Sequence, residues 1–147
     1  DISSVSVIGA GQMGNGIAHV LAVAGYDVVL NDVSQDQLDG AMARIAKNMD
    51  RQVAKGMYSE EDKQAALGRI VTTSSLQRAG QVDLVIEAAT ENEQVKLKIF
   101  NGLQPYLKPQ TVLTSNTSSI SITRLAGCSD RPERFMGFHF MNPVPMM

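Results

Sequence analysis

Residues 5–14 read VSVIGAGQMG, an apolar run followed by Gly9, Gly11 and Gly14 at G-x-G-x-x-G spacing. Glycines so placed let a backbone turn tightly and approach a pyrophosphate, while the helix that opens behind them turns its N-terminal amides toward the phosphates. Gly9 permits the turn, Gly11 the approach, and Gly14 the close packing of helix on strand. A second apolar run, residues 26–31, delivers Asp32. Its carboxylate can accept hydrogen bonds from a free ribose 2′-hydroxyl and would repel a 2′-phosphate. The three glycines alone are weak evidence. A strand pattern before them, a helix pattern after them and an acid at the required distance make the signal specific, and it points to NAD in preference to NADP.

Further polar groups gather just after the later apolar runs, as EAATEN at 87–92, TSNTSS at 114–119 and HFMNP at 139–143. In an open parallel sheet a ligand lies beyond the carboxyl ends of the strands, so these positions face it. Helix capping accounts for Asn92 or Ser119, but it does not account for His139. An alcohol gives up hydride only if a base removes its proton in the same step, and an imidazole titrates in the range that task needs. His139 is therefore the candidate general base. A hydroxyl such as Ser118 can orient the substrate oxygen, and Asn142 can satisfy a carboxamide.

The elements that must position these groups follow from periodicity. A helix is expected over residues 11–24, stopped by Gly25 as a C-terminal capping glycine. Ser34 caps a long helix whose apolar positions Leu38, Met42, Ile45, Met49 and Val53 recur at helical spacing. Ser59, followed by Glu60, Glu61 and Asp62, opens another. Residues 34–68 thus read as a helical hairpin inserted where one crossover helix would suffice. Strands are expected at 70–73, 82–87, 111–114 and 134–139, with a helix over 93–106, a helical turn near 122–126, and an extended stretch at Pro143 and Pro145. Continuous apolar strands separated by helices imply an α/β fold, a doubly wound parallel sheet of the Rossmann type.

At 147 residues and 44% hydrophobic content, one domain with a real core is expected over 1–147. A net charge of −2 supplies no field for nucleic acid or an anionic membrane, and no apolar run is long enough to span a bilayer. One cysteine, Cys128, excludes an internal disulfide framework and reads as a loop side chain. Two histidines make a histidine metal site improbable, and His19, on the first helix, reads as packing or surface. With no basic n-region or Arg/Ser-rich presequence at the start, a cytoplasmic protein is expected, or a mitochondrial matrix protein whose presequence has been removed.

The strings VIGAGQMG, VIEAATENEQVK, SNTSSI and GFHFMNPVP, in that order along the chain, resemble the 3-hydroxyacyl-CoA dehydrogenases, including the 3-hydroxybutyryl-CoA dehydrogenases. The resemblance implies that Gly9, Ala10, Gly11, Gln12, Met13 and Gly14 meet the pyrophosphate and that Asp32 binds the adenosine ribose. It implies that Glu91 and Lys96 line the nicotinamide ribose, that Asn142 seats the nicotinamide, that Ser118 contacts substrate and cofactor, and that His139 is the catalytic base. Asn48 and Lys55, seven residues apart on the hairpin's long helix, match positions that contact CoA.

The resemblance further implies a glutamate shortly past the last motif to hold the histidine ring, and an all-helical second domain carrying most of a homodimer interface. Both would lie beyond Met147. The chain is accordingly expected to act on an acyl-CoA within a longer parent, and by itself to bind NAD with little turnover. Two other readings stay open: a non-catalytic NAD-binding module, and a dehydrogenase of free 3-hydroxy acids, which would use a lysine as base.

Overall fold

The computed structural model describes residues 2–89, 92–115 and 135–137. Glu91, Ser118, His139 and Asn142 lie outside the described residues, as do Cys128, the turn expected at 122–126 and the stretch at Pro143 and Pro145.

Among the described residues, strands β1 (Ser4–Ile8), β2 (Asp27–Asn31), β3 (Ile70–Thr73), β4 (Leu84–Glu87), β5 (Val112–Ser115) and β6 (Phe135–Gly137) form one sheet ordered β3-β2-β1-β4-β5-β6. Every neighbouring pair is parallel. That order reverses direction between β1 and β4, which opens a crevice at the carboxyl ends of the strands and divides the sheet into two mononucleotide-binding halves. Strand alternation sorts the core. Val5, Val7, Leu84 and Ile86 face one layer, while Ile8 and Val85 face the other.

The first layer holds α1 (Gln12–Val23), α2 (Gln35–Ala54) and α3 (Glu60–Gly68). Leu38, Ala41, Ile45 and Met49 are fully buried on one stripe of α2, as the helical period requires. Helix α1 ends at Gly25, whose φ is +105°; Gly25 N donates to Ala22 O and Tyr26 N to Leu21 O. This paired closure satisfies carbonyls the helix leaves open. Gly56 stops α2 in the same way, with a φ of +76°. Ser59 and Asp62 make a reciprocal capping box at the start of α3, and Lys63 reaches back to Asp50, so the hairpin expected over 34–68 is formed.

The second layer holds α4 (Leu76–Gly80) and α5 (Glu93–Leu103), the latter running into a 3₁₀ turn at Gln104–Tyr106. Asn92 caps α5 by accepting from Val95 N at 3.2 Å. Phe100, Leu103 and Ala79 pack with Ile8, Val85 and Leu113. Asp83, just before β4, accepts from Ser3 N and Ser4 N and from Lys108 Nζ, latching the amino ends of β1 and β4 at the edge away from the crevice. The Lys108 ammonium holds its carboxyl well below the usual carboxylate range. No helix among the described residues is long and apolar enough to cross a membrane.

His19 is buried where α1 meets α2, with Nε2 2.9 Å from Gln52 Oε1, an oxygen that also accepts from the Tyr58 hydroxyl. Its Nδ1 is enclosed with no hydrogen-bond partner among the described residues. Burial pushes the imidazole below its ordinary 6.5, an effect the Gln52 contact partly offsets. The unfolded chain therefore takes up this proton first. Stability from the neutral ring is complete above about pH 6.5 and falls as the pH drops below it, by at most ~1.4 kcal/mol per pH unit. The Asp83 carboxyl titrates below this window and does not interfere. Melting temperatures at pH 7.5 and 5.5 are expected to differ more in the wild type than in His19→Gln, and equal differences would remove His19 as the cause.

Candidate nucleotide-binding site

The chain leaves β1 through Gly9, which has a φ of +107° and donates from N to Asn31 O at 2.7 Å. Only glycine fits here. Besides the left-handed backbone, a Cβ at Gly9 would lie 2.6 Å from Ala89 Cα. A Cβ at Gly14 would sit 1.6 Å from the Gly9 carbonyl oxygen, so the first turn of α1 presses directly onto the glycine turn. Gly11 differs, since a Cβ there would meet nothing within 4 Å. The N-cap is Gly11 itself, with no side-chain cap, and the first turn of α1 carries no acidic residue. No side chain of its own first turn competes for these amides, a condition for receiving a phosphate. Ala10 is buried beneath the turn, Gln12 is exposed, and Met13 packs against the core.

Asp32 stands beside this turn and is bound into it. Its Oδ2 accepts from Ala10 N and its Oδ1 from Ser34 N, both at 2.9 Å. Each carboxylate oxygen keeps acceptor capacity beyond these bonds, which leaves room for a ribose hydroxyl. Between Asp32 and the β4 end lies a cleft of about 190 Å³ with apolar walls from Val33, Leu76, Val95 and Ile99. Its apolar walls suit an aromatic base beside a sugar held by Asp32. Buried Asn31, the residue before Asp32, donates from Nδ2 to Thr73 O at 3.0 Å and Ser75 O at 3.4 Å. Those bonds fix the β3–α4 turn that bears Ser74 and Leu76 as the cleft's far wall.

Across the crevice a charged cluster is enclosed. Glu87, at the end of β4, is 0% exposed, and Lys96, on α5, is 1% exposed. Lys96 Nζ donates to Glu87 Oε1 at 2.5 Å, Ser115 Oγ donates to the same oxygen at 2.6 Å, and Ala89 N donates to Glu87 Oε2 at 2.7 Å. Breaking one side of such a buried pair costs about 3–5 kcal/mol, against roughly 0–1 for an exposed pair, so this contact outweighs the Lys63 bridges of the hairpin, whose carboxylates are exposed. Lys96, expected at the cofactor, is thus turned inward onto Glu87. Asn48 is half-buried on α2, and Lys55 is exposed at its C-cap.

Asn31 is not marked by sequence as a site-building residue, and Glu87 is marked only among the polar residues expected to face a ligand, whereas it is buried onto partners that lie far along the chain. The one available signal is a polar residue closing an otherwise apolar strand. Among the described residues no cluster of His, Cys, Asp or Glu could hold a metal ion.

Comparison with known proteins agrees with this geometry. The model of the 3-hydroxyacyl-CoA dehydrogenase, NAD binding domain family matches residues 4–147. A 3-hydroxybutyryl-CoA dehydrogenase of Bradyrhizobium diazoefficiens is 61% identical over 99% of this chain and 50% of its own length. The solved (S)-3-hydroxybutyryl-CoA dehydrogenase of Ralstonia eutropha superposes with a TM-score of 0.95 at 44% identity, covering 100% of this chain and 52% of that one. A 3-hydroxyadipyl-CoA dehydrogenase of Escherichia coli is 42% identical, with 31% of its length covered. The chain spans about half the length of the 3-hydroxybutyryl-CoA dehydrogenases it matches. With a glycine turn, an open helix N-terminus and a cradled Asp32 that fit the cofactor, the chain belongs to the family of 3-hydroxyacyl-CoA dehydrogenase NAD-binding domains, and its cofactor is NAD.

Proposed function

We propose that this chain is the NAD-binding half of an enzyme that oxidises a 3-hydroxyacyl-CoA, such as 3-hydroxybutyryl-CoA, to the 3-oxoacyl-CoA. The observation that carries the reading is the glycine turn tied to Asp32 in a chain 61% identical to a 3-hydroxybutyryl-CoA dehydrogenase. Bound NAD supplies the hydride acceptor. His139 takes the proton from the 3-hydroxyl as hydride leaves the same carbon, so the alcohol loses two electrons and two hydrogens to become a carbonyl. Ser118 orients the reacting oxygen, Asn142 holds the nicotinamide carboxamide, and Glu91 and Lys96 line the nicotinamide-ribose side, Lys96 from beneath with its ammonium bound to Glu87.

Asn48 and Lys55 take the CoA moiety, Lys55 offering an ammonium to a phosphate. The remaining half of the longer protein supplies the acyl pocket and the homodimer interface. The isolated chain binds NAD and turns over little.

Two measurements test this. Titration of the isolated chain is expected to show NAD bound at least about tenfold more tightly than NADP, the cost of setting a 2′-phosphate against Asp32. Acetoacetyl-CoA-dependent NADH oxidation is expected from a polypeptide extended to the relatives' full length and to be nearly absent from this chain. Robust turnover by the short form would overturn the division of labour, and none by the long form would overturn the activity.

A further inference from the structure

Glu87 closes β4 with its side chain in the second layer, facing α5 and β5 and away from the glycine turn's own helix. Its two oxygens collect three donors from three separate segments: the Lys96 ammonium from α5, the Ser115 hydroxyl from the end of β5, and the Ala89 amide from the loop after β4. All four residues lie in the half of the sheet that does not carry Asp32. A dinucleotide laid across the switch point puts its adenosine over β1-β2-β3 and its second nucleotide over β4-β5-β6. We propose that Glu87 is a positioning residue for the nicotinamide half of NAD, holding Lys96, Ser115 and the Ala89 loop as one rigid floor beneath it.

The chemistry of the cluster favours that role over simple cohesion. An apolar trio would fill the same space without the desolvation cost of two buried charges. What the ionic version adds is direction, because a carboxylate fixes each donor at a defined angle while dispersion contacts do not. Ala89 gives the floor its link to the rest of the crevice, since its backbone backs onto Gly9 and borders the adenine-sized cleft. The inference rests on the reading that NAD spans both halves of this crevice.

The test compares NAD with ADP, which lacks the nicotinamide nucleotide and meets this half of the sheet only at the cleft wall of Ala89, Val95 and Ile99. A single change leaves one buried charge unmatched, so the deciding protein is the double variant Glu87→Gln with Lys96→Met, in which both charges are gone and Gln keeps an oxygen for Ala89 N. It is expected to melt above either single variant, to bind ADP within about twofold of the wild type, and to bind NAD about tenfold more weakly, the loss that goes with charge-assisted hydrogen bonds. Ser115→Ala keeps both charges and is expected to show the same split at about threefold, so the question is answered even where the double variant does not fold. Parallel losses of NAD and ADP, or unchanged binding of both, would overturn the positioning role. A wild-type chain that binds ADP and NAD equally would instead overturn the spanning reading on which it rests.

Discussion

Gly14→Ala is expected to destroy NAD binding and to destabilise the chain by at least about 3 kcal/mol, lowering the melting temperature by roughly 10 °C. The new methyl group would lie 1.6 Å from the Gly9 carbonyl oxygen, deep inside contact distance. Neither side can yield cheaply. Gly9 is pinned by its bond to Asn31 O and by Ala89 behind it, and Gly14 sits in the first turns of a helix whose Ile17 and Ala18 are fully buried. Relief would require lifting α1 off β1. Gly11→Ala provides the contrast, because its methyl group enters open space. That variant is expected to melt within about 1 kcal/mol of the wild type and still lose most of its NAD affinity, the methyl group standing where the pyrophosphate must approach. Thermal melts paired with NAD titrations separate the two. A Gly14→Ala chain that melts like the wild type would show that the turn is slack.

In a polypeptide extended to the relatives' full length, His139→Ala is expected to lower kcat about 10²- to 10⁴-fold while leaving NADH affinity within roughly twofold. The asymmetry follows from the role proposed for the imidazole, to take the substrate proton without holding the pyrophosphate or the adenosine. Steady-state turnover with acetoacetyl-CoA, read beside NADH binding by fluorescence, measures both quantities on one protein. A kcat within about threefold of the wild type would leave no general-base role for His139. A joint collapse of turnover and NADH affinity would assign it to binding instead.

Local rules made much of the fold legible in the sequence. Gly25 and Gly56 both stop their helices at positive φ, Ser34, Ser59 and Asn92 all cap helices, and the α2–α3 hairpin follows from periodicity and a capping box. The misses have physical reasons. Helix α4 spans Leu76–Gly80, too short for a 3.6-residue period to emerge, and only its Ser75 cap carries a signal. The helix expected to run through 106 tightens into a 3₁₀ turn at Gln104–Tyr106, where Pro105 cannot donate its place in the ladder. β4 begins at Leu84, two residues later than expected, although the Asp83 backbone still donates to Ser4 O and accepts from Val112 N.

The site divides along similar lines. Gly9, Gly11, Gly14 and Asp32 are readable because their tasks are local to one turn and one strand end. Asn31 and Glu87 are opaque because their meaning comes from Thr73, Ser75, Lys96 and Ser115, which the sheet brings to them only after folding.

The two amides cradled by Asp32 have a consequence for how cofactor preference can drift. Exchanging Asp32 for a small neutral residue is the obvious first move toward accepting a 2′-phosphate, yet the same carboxylate closes the Ala10 and Ser34 amides. A lineage taking that step would loosen the fingerprint loop before gaining any new affinity, and it would need a second change nearby to quiet the released donors. Preference for NAD is therefore buttressed by the protein's own architecture as well as by the ligand, and a redesign library that varies position 32 alone samples mostly weakened loops.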